Sequence, residues 1–137
     1  MQSSTFAAAG RLLLAILFIV SGLGKIAAPA ATEGFIAAVG LPFPLLGYLI
    51  AVIVEVGVGA ALLVGFQTRI AAGILAVFTL ATALAFHADL ADQNTFVHFM
   101  KNIAITGGLL QVVASGAASL SLDGLLRARR TRAVAAE

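Results

Sequence analysis

Residues 48–66 read YLIAVIVEVGVGAALLVGF: no proline, one carboxylate, Glu55, near the middle, and glycines at Gly57, Gly59 and Gly65. A run of this length and character spans a hydrocarbon core of roughly 30 Å. A carboxylate at the centre of such a span costs on the order of 3 kcal/mol on insertion scales. Glu55 therefore either has a cationic or hydrogen-bonding partner on another helix or stays protonated. Finding that partner decides how the rest of the chain is arranged.

The whole chain has the same character. Its 137 residues amount to one domain; 61% are hydrophobic and 10% charged, where soluble globular chains carry roughly 45–50% and 25%. The expectation is an all-α integral membrane protein, a four-helix bundle. Cysteine is absent, which excludes thiol–disulfide exchange, disulfides and thiolate-held iron–sulfur clusters within this chain. Much of the net charge of +2 comes from Arg127, Arg129, Arg130 and Arg132. That cluster reads as a membrane-flanking segment rather than a nucleic-acid surface.

Outward from the central run, the apolar segments predict spans at about 6–28, 45–66, 70–87 and 96–118. The first contains Arg11 and Lys25. Lys25 stands just before the small residues 27–30, which argues against a cleaved signal peptide and for a retained helix. Residues 29–44, PAATEGFIAAVGLPFP, predict a short helix capped by Thr32 and ended by Gly40 and Pro42. Phe35, Ile36 and Val39 share one of its faces, so it is expected to lie in the membrane interface between spans one and two. In the second span Gly57, Ala61 and Gly65 form a small-residue stripe for close helix approach. Residues 1–126 thus read as one four-span domain and 127–137 as a basic tail. Four spans leave both termini on one side, and the distribution of Lys and Arg predicts that side to be cytoplasmic.

Two polar groups emerge when residues are placed by depth at 1.5 Å each. Glu55 falls roughly 16 Å, and Arg11 about 8 Å, from the terminus-bearing end, with Gln111 between them. A buried cluster of Arg11, Glu55 and Gln111 is therefore expected, with Lys25 and Lys101 too near the opposite end to serve. The second group, Lys25, His87, His98, Lys101 and Asn102, lies within about two turns of that opposite end, with Asp89 and Asp92 in the adjoining loop. The first group is either a clamp fixing helix register or a proton-carrying site. In the second, the lysines either snorkel to the headgroups or face a ligand. No metal site is expected: H-x-D-x2-D-x5-H over residues 87–98 lacks a ligand spacing. Haem held by two histidines flanking one short turn is disfavoured too. Phosphate-loop, nucleophile-triad and redox-cysteine motifs are absent.

Several pieces taken together resemble the DoxX family: GRLLLAILFIVSGLGKI (10–26), GLPFP (40–44), VEVGVGAALLVGFQTRIAA (54–72), FMKNIAITGGLL (99–110) and SLD (121–123). The resemblance implies a four-helix bacterial inner-membrane protein with kinship to DoxD, the small membrane subunit of thiosulfate:quinone oxidoreductases. It also implies kinship with DoxX proteins linked to thiol and oxidative-stress defence. The matching positions are Arg11, Lys25, Glu55, His87, Lys101 and Asn102. No intrinsic cofactor is expected, so any redox centre comes from a partner enzyme or a diffusible quinone.

Two functions follow. In the first, the chain is a membrane subunit of a quinone- or thiol/sulfur-linked redox system. Lys25, His87, Lys101 and Asn102 are then the ligand-binding donors, and Glu55 and His87 the proton relay. In the second it is a non-catalytic anchor or scaffold for a peripheral enzyme, or an oligomeric small-anion carrier. The partners expected are the lipid bilayer, a redox enzyme and further copies of itself; nucleic acid is not among them.

Overall fold

The computed structural model describes residues 2–117 and 120–134. Every element among them is helical: α1 (Gln2–Ala27), α2 (Pro29–Ala38), α3 (Pro44–Val52), a π-helical segment (Ile53–Val58), α4 (Gly59–Val64), α5 (Thr68–Phe86), α6 (Gln93–Ser115) and α7 (Leu122–Val134). α3, the π segment and α4 make one continuous rod. Among the described residues four rods are long and apolar enough to cross a membrane: Ser4–Ala27, Pro44–Val64, Thr68–Phe86 and Gln93–Ser115. The core between them is Ala15 and Phe18 of α1, Leu62 of α4, Ala72 and Leu75 of α5, and Leu109 of α6. Outside, large apolar side chains such as Leu13, Val20, Ile53 and Val77 are exposed. A soluble domain does not expose so extensive an apolar surface, but lipid is the solvent such a surface fits.

The boundaries show which local chemistry fixed them. α6 begins at Gln93, three residues before the expected start, because Asp92 caps it: its carboxylate accepts the Thr95 N–H at 2.7 Å. It ends at Ser115, with Gly116 at φ +72; residue 118, the expected end, lies outside the described residues. α2 starts at Pro29, so Thr32 is inside the helix rather than its cap, and its hydroxyl donates to the Ala28 carbonyl at 3.0 Å. The segment after the fourth span is also helical, as α7, while residues 135–137 of the expected tail lie outside the described residues.

The small-residue stripe forms the expected close contact only in part: Ala61 packs against the core and Gly65 lies against Arg11 of α1. Gly57 faces open space, and Gly59 instead packs against Phe18 and Ile19. The cause is the π segment, whose wider i→i+5 turn rotates everything after it relative to a 3.6-residue projection. At Gly22 of α1 the approach to that segment is closest: a Cβ there would stand 2.6 Å from Val56 Cγ2 and 3.0 Å from Glu55 Cβ. Glu55 and Gly22 therefore lie at one level.

Candidate functional site

Glu55 pairs with Lys25. The Lys25 ammonium donates to Glu55 Oε2 at 2.7 Å, to Oε1 at 2.9 Å and to Ser21 Oγ at 3.0 Å, while Ser21 donates to Glu55 Oε1 at 3.3 Å. Ser21 and Lys25 are four residues apart on α1 and so share a face. The π segment holds Glu55 against that face, and a π turn within a longer helix is often associated with a functional position. The pair is largely buried, with 8% of the Glu55 side chain and 26% of the Lys25 side chain exposed.

The expected Arg11–Glu55–Gln111 cluster does not exist. Two effects overturned it. Helical side chains lean toward their own N-terminus, so Lys25 leans back down α1 toward the membrane interior. Glu55, on a rod running the opposite way, leans up to meet it, and Arg11 leans away from both. The rods are also staggered. With residues 22 and 55 level, Pro44 stands roughly 9 Å beyond Ala27, from six residues of difference in helix length. Depth counted from the terminus-bearing end set Glu55 level with residue 17 of the first span, whereas it stands level with Gly22, roughly 8 Å farther in.

Arg11 is buried at the other end, where its Nη2 donates to the Leu120 carbonyl at 2.8 Å. Its Nε and Nη1 find no hydrogen-bond partner among the described residues. Beside it the start of α7 closes over the 65–68 turn. The Asp123 N–H donates to the Gly65 carbonyl at 2.9 Å, and the Asp123 carboxylate accepts the N–H groups of Gln67 and Thr68 at 2.9 Å and the Thr68 hydroxyl at 2.8 Å. α5 has no cap of its own, since Gln67 sits in the left-handed region at φ 44; Asp123 caps it from 56 residues away. Burial pushes the Asp123 carboxyl up, but the Thr68 and Gln67 donors and the charge of Arg127 outweigh that and hold it below the ordinary carboxylate value. Gly65, at φ +71, lies against Arg11 and Ser121 where any side chain would collide. Gln111 is exposed and takes no part.

A cavity of about 520 Å³ opens from the Lys25–Glu55 pair toward the α2 end of the molecule. Its walls are apolar, with Phe35 and Ile36 from α2, Ile50 from α3 and Phe78 from α5. Thr82, His87 and Asn102 add polar groups. The volume lies within the roughly 300–1,000 Å³ of small-molecule sites. α2 roofs the cavity, with Ile36 buried near Gly47 and the Phe35 ring stacked on Phe86 of α5, centroids 5.2 Å apart.

Of the expected ligand residues, Lys25, His87 and Asn102 line the cavity and Lys101 does not. Lys101 is exposed and donates to His98 Nδ1 at 3.1 Å. An ammonium has no acceptor, so this bond fixes the ring proton of neutral His98 on Nε2. The His98 ring stacks on His87, centroids 5.3 Å apart. Burial first, then the positive charges available to His98 and Lys101, pull the His87 pKa below its ordinary value. Sequence reasoning missed Ser21, whose signal was its spacing to Lys25, and the Phe35–Phe86 stack, which has none.

A family profile described as DoxX matches residues 6–88. The chain belongs to the DoxX family. It is similar to two Escherichia coli (strain K12) proteins, inner membrane protein YqjF and inner membrane protein YphA. The first is 41% identical over 85% of this chain and 88% of the relative, the second 32% identical over 82% and 84%. No solved structure gives a significant match. The DoxX match contains Lys25, Glu55 and His87, and Asn102 and Lys101 fall beyond it. The DoxX chain is thus a membrane protein in which the one ion pair among the described residues lines an apolar cavity.

Proposed function

We propose that this DoxX protein binds a neutral, lipid-soluble hydrogen-bond acceptor of the quinone class, and is the membrane component of a quinone-linked redox system. The observation that carries this is the closure of Lys25: all three ammonium protons are engaged by Glu55 and Ser21. The cavity therefore offers a ligand no free charge. Its unengaged donors are the Asn102 amide and the His87 ring, which suit carbonyl oxygens. A quinone carries electrons and protons between partners. Here the Asn102 amide orients the bound headgroup and the apolar wall excludes water. His87, held neutral at physiological pH, accepts or returns a proton at the cavity lip. Glu55 stays on Lys25 and stabilises the floor. An anion carrier is disfavoured, because an anion would have to break that pair.

We place the protein in the inner membrane with both termini cytoplasmic, because Arg11, Arg69 and the arginines of α7 all belong to the terminus-bearing end. Titration of a short-chain quinone into purified protein tests the reading. Saturable binding is expected, weakened about tenfold by Asn102→Ala or His87→Ala and unchanged by Lys101→Ala. Absence of saturable binding sinks it. The second reading, an anchor for a soluble enzyme, has α7 in its favour, with Arg127, Arg129, Arg130 and Arg132 all exposed. Capture of one soluble enzyme, lost on deleting residues 127–137 in a protein that binds no quinone, would establish it instead.

A further inference from the structure

The fourth span inverts the expected relation between polarity and burial. α6 has the lowest mean hydropathy of the four spans, yet 6% of its most apolar stretch is buried, against 22% to 33% in the others. A helix left facing lipid should be the most apolar of its bundle, because lipid offers polar groups no hydrogen bonds. The open side of α6 centres on Met100, Ala104, Gly107, Gln111 and Ala114, all exposed. They alternate spacings of four and three residues, the repeat of a helix–helix seam. The Gln111 side-chain amide has no hydrogen-bond partner among the described residues; its backbone carbonyl accepts the Ser115 hydroxyl. Gln111 stands about 6 Å in from the end of α6, and its side chain leans toward the helix N-terminus, into the membrane rather than toward the near headgroups.

We propose that this face of α6 is covered by the same face of a second copy of the chain, in a parallel two-fold pair. A primary amide both donates and accepts, so Gln111 meets its own symmetry mate at the same depth and satisfies it. Gly107 faces open space and carries no side chain, so a second backbone fits closely there. Lys101 is about 100° round the helix from Met100, so the two-fold axis does not bring two ammonium groups together. The seam is on the opposite side of α6 from Asn102 and Leu109, so the pairing stands independently of what the cavity binds.

Because the chain has no cysteine, single cysteines report contacts cleanly. Gly107→Cys and Ala114→Cys, oxidised in native membranes, are expected to give a species of twice the chain's mass. Val77→Cys, 71% exposed on α5, is expected to stay single. Adding Gln111→Leu to Gly107→Cys should weaken association about three- to twenty-fold. Seam cysteines that dimerise no more than Val77→Cys, or that link to a chain of different mass, overturn the proposal. Undiminished cross-linking with Gln111→Leu overturns the amide pairing.

Discussion

Lys25 and Glu55 are each tolerable in a membrane only through the other. Removing one partner of a buried pair leaves an uncompensated charge and costs about 3–5 kcal/mol, whereas replacing both with apolar groups is close to neutral. Glu55→Leu is therefore expected to lower the melting temperature in detergent sharply, and Lys25→Met/Glu55→Leu to restore most of it. Arg11→Met, which pairs with Leu120 instead, should not rescue Glu55→Leu. Equal melting of the single and double variants would dismiss the pair. Gly22 is the second sensitive residue, because α1 meets the Glu55 backbone there. Gly22→Val overpacks that contact, with an expected cost of about 1–3 kcal/mol readable in the same melt.

Among the elements, the start of α7 and the α2 roof do work that their sequences do not advertise. Asp123 supplies the N-terminal cap that α5 lacks, so Asp123→Ala should destabilise the fold by about 0.5–2 kcal/mol. Its carboxyl is held below the ordinary value, so the stabilisation is present above about pH 3.9 and lost as pH falls through the folded value. His87 shifts the same way as a base: its folded pKa is depressed, so the unfolded chain binds the proton first. The stability that rests on His87 being buried as a neutral ring is accordingly complete above about pH 6.5 and falls away below it. Hydrogen exchange at residues 87–98 should accelerate on acidification through that window, and His87→Gln should abolish the pH dependence. The α2 roof rests on Ile36 and on the Phe35–Phe86 stack. In the cysteine-free chain, maleimide labelling of Thr82→Cys should rise when Phe35→Ala is added; unchanged labelling would show that α2 does not control entry.

At the scale of the whole molecule, the two ends do different work. The terminus-bearing end is locked by Arg11, Asp123 and the 65–68 turn, and the α2 end holds an open cavity that the ion pair helps to line. Composition and apolar run lengths determined the membrane class and the four spans, because transfer into lipid depends on segments rather than on partners; helix breakers marked the short helix between the first two. Local motifs carried the family, and residue type alone marked Lys25, Glu55, His87 and Asn102 as chemically costly groups that need a reason to be there. The tertiary structure alone decided who pairs with whom. The lean of side chains toward helix N-termini, the stagger of Pro44 past Ala27 and the extra width of the π turn each move a side chain by several ångströms. A salt bridge, which forms within 4 Å, is decided by displacements of that size.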